Sequence, residues 1–170
     1  KKANTNILPK DTVFIDLRNS EKSILQTMKA KTRYNIGLAR RRGVRVRKAE
    51  LSDLHIWYDL YRKTCARNHI YLHDLNYFTT VLSTRANDSR SPAEVELLIA
   101  EYDGGPLAAM FLVYSATRAT YLYGASSCRY RHVMAPYLLQ WRAMQRAKAK
   151  GCSEYDMFGV APRPDPAHPL

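Results

Sequence analysis

The chain has 170 residues, with 27 Lys and Arg against 15 Asp and Glu, and a formal charge of +12. Apolar residues at 46% and aromatics at 11%, twelve Tyr among them, exclude a disordered or collagen-like chain and allow one domain with a core that needs no disulfide or metal staple. The charge is local: residues 1–48 hold 14 basic and 3 acidic side chains, net +11, whereas residues 49–170 hold 13 and 12, net +1.

No apolar run approaches the roughly 18 residues of a membrane span. The start, Lys1-Lys2-Ala3-Asn4, lacks the apolar region of a signal peptide, so a cytoplasmic protein without a transmembrane segment is expected. Cys65, Cys128 and Cys152 show neither a Cys-x-x-Cys pair nor His at ligand spacing, which predicts reduced thiols and no metal site.

Thr12 to Leu17 alternates as a half-buried strand, and Asn19/Ser20 with Glu21 then supply an N-cap and a first-turn acid. A long helix follows, its apolar stripe interrupted around Lys29 to Asn35, with Gly43 as C-cap. Val44 to Arg47 reads as an edge strand with its Arg side chains on one face. Ser52-Asp53 opens a second helix that ends near Asn68, Leu75 to Leu82 is a shorter one, and Ser83 to Pro92 has loop composition. Val95 to Glu101 and Leu107 to Tyr114 flank the hairpin signal Tyr102-Asp103-Gly104-Gly105, and Thr120 to Ala125 adds a third strand. Pro136 sits in the first turn of a last helix that stops at Gly151, and Glu154 to Phe158 reads as a final strand. An antiparallel meander followed by a helix and a strand is the plan of an α+β, acetyltransferase-like (GNAT-type) domain, with a mixed, mainly antiparallel sheet flanked by helices.

Between Lys22 and Ala49 there is no acidic residue, and nine cations lie between Lys29 and Lys48. Lys29, Arg33, Ile36 and Arg40 share a helical face, so the run is either a solvated surface or a contact for an anionic partner, nucleic-acid phosphate being the commonest. A coenzyme A transferase needs a Gly-rich turn after the central strand to hold pyrophosphate on backbone N–H groups. The stretch Gly124 to His132 has one Gly followed by bulky residues, which speaks against coenzyme A and leaves Arg129 and Arg131 as ligands for some other anion. His55 reads as surface; His69, His73 and His132 are as compatible with structural roles as with proton transfer. No Ser/His/Asp order, HExxH or P-loop appears.

The residues nevertheless carry a resemblance. Asp16-Leu17, Ser20-Glu21, Met28 to Ile36, Ala39 and Arg42 to Val46, then Arg67 with Tyr71, Tyr121 to Ser127, and Gly151 through Tyr155 to Pro162 resemble, in order, the FemABX aminoacyltransferases that build peptidoglycan cross-bridges, the compact FemX-like members most. The resemblance implies that residues 1–19 are a lead-in strand from a first domain and residues 20–170 a second GNAT-like domain, cut short before a Phe-Lys segment and incomplete as a catalyst by itself. It places the short stretch Ser83 to Pro92 where some members carry a long helical hairpin. It implies attack by a stem-peptide amine on the ester of an aminoacyl-tRNA, a co-substrate rather than a cofactor, with a lipid-linked or UDP-linked muropeptide as acceptor and peripheral contact with the inner face of the membrane.

Carried over by residue, Arg67 and Tyr71 contact the precursor's diphosphate or sugar, and Tyr121 and Tyr123 line the acceptor cleft. Lys29, Lys31, Arg33, Arg40, Arg41 and Arg42, on what would be the interdomain helix, face the phosphates of tRNA or precursor. For Arg67 the alternative is compensation of a helix C-terminus; for Tyr121 and Tyr123 it is packing within the meander. Asp156 and Tyr123 are the candidates for a general base. Outside this reading stand a non-catalytic RNA-binding module and a coenzyme A-dependent N-acyltransferase of the same fold.

Overall fold

The computed structural model describes residues 11–87 and 93–159. In chain order they form β1 (Phe14–Asp16), α1 (Glu21–Thr27), α2 (Ala30–Arg41), β2 (Arg45–Ala49), α3 (Leu54–Asn68), α4 (Leu75–Asn87), β3 (Ala93–Tyr102), β4 (Gly105–Ser115), β5 (Arg118–Ser126), α5 (Ala135–Ala149) and β6 (Glu154–Asp156). One six-stranded sheet has the order β1-β6-β5-β4-β3-β2. All neighbours are antiparallel except β5 and β6, because α5 carries the chain back over the sheet before β6 enters between β1 and β5. The expected α+β plan and its meander are therefore present.

Alternation along the central strands divides the core in two. Leu98, Met110, Leu112 and Tyr155 meet Ile36 and Ala39 of α2 and Leu138, Trp141 and Met144 of α5. Leu97, Ile99 and Phe111 meet Trp57 and Tyr61 of α3 and Phe78 of α4. There Trp57 stacks on Tyr61 at 5.3 Å and meets Phe111 edge-on at 4.9 Å. Such pairs add about 0.5–1.5 kcal/mol beyond their area.

Several local readings change. The single interrupted helix is two helices: Met28 and Lys29 are both extended, with ψ of 153° and 145°, and the stretch from Lys31 to Asn35 is helical. Ser20 does cap α1, its Oγ accepting from the Ser23 N–H at 3.1 Å. Gly43, at φ 86°, takes the left-handed turn that ends α2. α4 runs to Asn87, five residues beyond the expected stop, so only residues 88–92 of the supposed loop lie outside the described residues. The first and last strands are shorter than their apolar patterns, three residues each.

Candidate functional site

β5 and β6 pair only from Arg118–Glu154 to Thr120–Asp156, so β5 continues to Ser126 with no strand on that side. Backbone polar groups there need partners, and α3 provides them. Thr64 Oγ1 accepts from the Ser126 N–H at 2.9 Å. Arg67 Nη1 donates to the Ser126 carbonyl at 2.9 Å, its Nη2 to Ser126 Oγ at 3.2 Å, and Nη1 also meets Cys128 Sγ at 3.3 Å. Arg67 is nonetheless exposed, so its guanidinium is fixed in direction and open to solvent.

A cavity of about 220 Å³ opens here, bounded by Thr64, Arg67, Tyr121, Gly124, Ser126 and Gln140. Gly124 is what lets Tyr121 into it: a Cβ at 124 would lie 1.7 Å from Tyr121 Oη and 2.6 Å from its Cζ. Gly124→Ala is expected to cost about 1–3 kcal/mol in chemical denaturation, the usual cost of overpacking. Adding Tyr121→Ala should recover part of that loss, a coupling that a double-mutant cycle reads directly.

The bulge in β5 separates two residues expected together. Phe111 faces Tyr123 and Leu112 faces Tyr121, leaving Leu122 as the extra residue. Phase is lost there: Tyr121 packs on the α2/α5 side with Ala119, whereas Tyr123 packs on the α3/α4 side with Ala125. Arg67 and Tyr121 thus share a cavity, while Tyr123 joins an aromatic chain in which Tyr71 meets His73 edge-on at 5.1 Å, His73 stacks on Tyr77 at 4.7 Å, and Tyr77 Oη lies 2.9 Å from Tyr123 Oη.

Each candidate base has defined partners in the fold. Burial, and then the hydrogen bond with Tyr77, push the Tyr123 phenol well above its ordinary range, so at neutral pH it is an O–H group with no phenolate to accept a proton. Asp156 is buried at the β1–β6 edge, where its Oδ1 accepts from Thr12 Oγ1 and from the Phe158 N–H at 2.9 Å. Burial likewise raises Tyr121, keeping its hydroxyl a donor. Among the described residues no group of three His, Cys, Asp or Glu is placed to hold a metal.

The basic run is only partly as expected. Ile36 turns into the core, so Lys29, Arg33, Ile36 and Arg40 do not form one outward face. Arg33 folds back to donate to the carbonyls of Gln26 and Met28, closing α1. Arg42 Nη1 donates to the His132 carbonyl at 2.8 Å, joining α2 to the turn that carries Arg129 and Arg131. Arg41 stands over the Tyr34 ring at 5.9 Å. Arg47, the inner of the two edge-strand arginines, is held by Asp53 at 2.7 Å and Glu101 at 3.0 Å. Lys29, Lys31, Arg40 and Arg41 are exposed, with no acidic partner among the described residues.

Thr64 and Gln140 carry no signal of their own in the sequence, and Ser126 only that of the Tyr121 to Ser127 stretch in which it lies. An isolated Gly in a strand pattern signals a bulge or a close approach, and Gly124 after Tyr121-Leu122-Tyr123 is the one clue to their meeting place.

The sequence model of the FemAB family matches residues 1–90 and 83–168, nearly the whole chain. The chain belongs to the FemAB family. The two matched segments of this FemAB chain meet at residues 83–90, within the stretch read as the place of the long hairpin of some members. Lipid II:glycine glycyltransferase of Staphylococcus epidermidis is 20% identical to it over 94% of this chain and 52% of that protein, and its Staphylococcus saprophyticus counterpart is 21% identical over the same shares. Aminoacyltransferase FemA of Staphylococcus epidermidis is 30% identical over 33% of this chain and 13% of that one. The chain spans about half the length of the curated relatives that it matches over most of its own. In fold, it superposes on FemX with a TM-score of 0.88 at 18% identity, over 98% of this chain and 57% of that one. On L-PGS from Bacillus licheniformis the score is 0.60 at 13%, over 91% and 46%.

Proposed function

We propose that this chain is the second of two acetyltransferase-like domains in an enzyme that transfers an amino acid from aminoacyl-tRNA to the stem-peptide amine of a peptidoglycan precursor. The observation that carries this reading is the opened β5 edge of a FemAB chain, where a fixed, exposed Arg67 guanidinium and the Tyr121 hydroxyl border one cavity. Arg67 presents a planar fork suited to a diphosphate. Tyr121 is a hydrogen-bond donor that stays protonated, suited to a carbonyl oxygen gaining negative charge. The ester is already activated, so the site's task is orientation of amine and ester, and no covalent intermediate on the chain is needed. The names of the curated relatives, a lipid II:glycine glycyltransferase and an aminoacyltransferase, support the aminoacyl transfer in this reading.

Thermal protection discriminates this reading from an N-acyltransferase. The precursor is expected to raise the melting temperature as its concentration rises past Kd, and acetyl-coenzyme A to leave it unchanged; the reverse pattern would reassign the site. The cations of α2 that have no acidic partner among the described residues are assigned to tRNA phosphates. Arg40→Glu with Arg41→Glu should weaken tRNA retention at least about tenfold and flatten its salt dependence by roughly one unit of slope for each phosphate no longer neutralised. Unchanged retention would make the run a solvated surface.

A further inference from the structure

Half of the exposed large apolar side chains of the described residues fall in eight consecutive positions. Ile70 is 52% and Tyr71 80% exposed, and Leu72, Leu75 and Tyr77 are each more than a third exposed. This segment is held from below. α3 ends at His69 in a left-handed turn, and the Ile70 N–H bonds the Cys65 carbonyl. Tyr61 Oη donates to the Tyr71 carbonyl at 3.3 Å, and the one acid present, Asp74, accepts from the Tyr77 N–H at 2.7 Å as the cap of α4. The backbone is tied to the domain while its largest side chains face water.

The composition of this patch selects its partner. From Asn68 to Thr84 there is no Lys or Arg, whereas nucleic-acid surfaces interleave cations with aromatics, and Ile70, Leu72 and Leu75 offer no ring for a base to stack on. Aliphatic residues beside Tyr are instead what the boundary of a lipid leaflet accepts. Cations stand at its border: Arg67 precedes it and holds the start of the turn that bears Arg129 and Arg131, a placement that complements anionic headgroups.

We infer that the His69–Tyr77 segment is a shallow membrane anchor that seats the domain on an anionic leaflet, with Ile70 and Leu72 entering the headgroup and acyl boundary. The inference rests on the proposed function and narrows it. The diphosphate of a lipid-linked precursor lies at the headgroup level, so an anchor beside Arg67 brings its guanidinium to the phosphates and favours the lipid-linked acceptor over the nucleotide-linked one.

The test uses the native full-length protein, the double variant Ile70→Asp/Leu72→Asp, and the uncharged Ile70→Ser/Leu72→Ser as a control for folding. The readout is co-sedimentation with vesicles of equal parts phosphatidylcholine and phosphatidylglycerol. The unsubstituted protein should bind, and both variants, at unchanged melting temperature, should bind about tenfold less. They should lose transfer to precursor embedded in vesicles in the same proportion while keeping transfer to the soluble, nucleotide-linked precursor. No vesicle binding by the unsubstituted protein, or equal binding by the variants, overturns the anchor; so does a loss of tRNA retention with vesicle binding intact, which would make the patch an RNA contact. Vesicle binding through the patch without transfer to any precursor would leave the anchor standing and remove the proposed function. Transfer to soluble precursor without vesicle binding would do the opposite.

Discussion

Arg67→Ala is expected to lower kcat/KM for the peptidoglycan precursor by about 10- to 150-fold, the equivalent of the roughly 1.5–3 kcal/mol that a charge-assisted hydrogen bond contributes. The loss should appear mainly in KM for the precursor, with the KM for charged tRNA unchanged. Two roles meet in this side chain, since it also completes the hydrogen bonding of Ser126. Because the guanidinium is exposed, that structural part is expected to cost no more than about 1 kcal/mol, read as a small fall in denaturation midpoint. Arg67→Lys separates the two further: it keeps the charge and loses the fork, and should recover only part of the lost precursor affinity. Equal kinetics for all three proteins would leave Arg67 a purely structural clasp.

The largest effect on stability is expected at Glu96, which is 2% exposed in β3. Its carboxylate accepts from Tyr114 Oη at 2.7 Å and from Arg146 Nε and Nη2 at 2.9 Å each, with Lys150 Nζ at 3.5 Å. It thereby fastens the C-terminal half of α5 to the sheet, and the other end of that helix borders the cavity through Pro136 and Gln140. Removing one partner of a buried ion pair costs about 3–5 kcal/mol. Arg146 is 39% exposed and water takes up part of its charge, so Glu96→Ala is expected to cost about 2–4 kcal/mol.

Acid should narrow this difference. Burial pushes the Glu96 carboxyl upward, but the hydrogen bonds from Arg146 and Tyr114, with the charges of Arg146 and Lys150, outweigh it and hold the group below the ordinary glutamate range. A depressed folded-state value gives a stabilisation that is complete above about pH 4.3, the unfolded-chain value, and is lost as pH falls through the folded-state value. The stability gap between native and Glu96→Ala proteins should therefore shrink down the acid range. A gap that persists unchanged would show packing, not charge, as the source.

Much of the architecture was legible because it depends on patterns that repeat. The meander follows from the apolar runs Val95–Glu101 and Leu107–Tyr114 around a Gly-rich turn, and α3 from apolar residues at 54, 57, 61 and 65. What escaped depends on single events. One extra residue at Leu122 reversed the phase of β5, so Tyr121 and Tyr123, two apart, left the common face that alternation predicts. Met28–Lys29 breaks the helix without Gly or Pro, so only its backbone shows the break. The polar turn of α4 beyond Leu82 has the same composition as a loop. For the site, the resemblance paired Arg67 with Tyr71 and Tyr121 with Tyr123, whereas the fold puts Arg67 beside Tyr121 in one cavity; Thr64, Ser126 and Gln140 come to it from three elements whose meeting no local pattern encodes.

The measurement that bears most directly on the proposed activity is single-turnover transfer of a labelled amino acid from charged tRNA to peptidoglycan precursor by the native full-length protein, without coenzyme A. The acceptor is supplied once with its stem-peptide amine free and once with that amine acetylated. The predicted result is label on the free-amine precursor alone, reduced by Arg67→Ala. Label that stays on tRNA or is released to water, at concentrations where both substrates are bound, would contradict it.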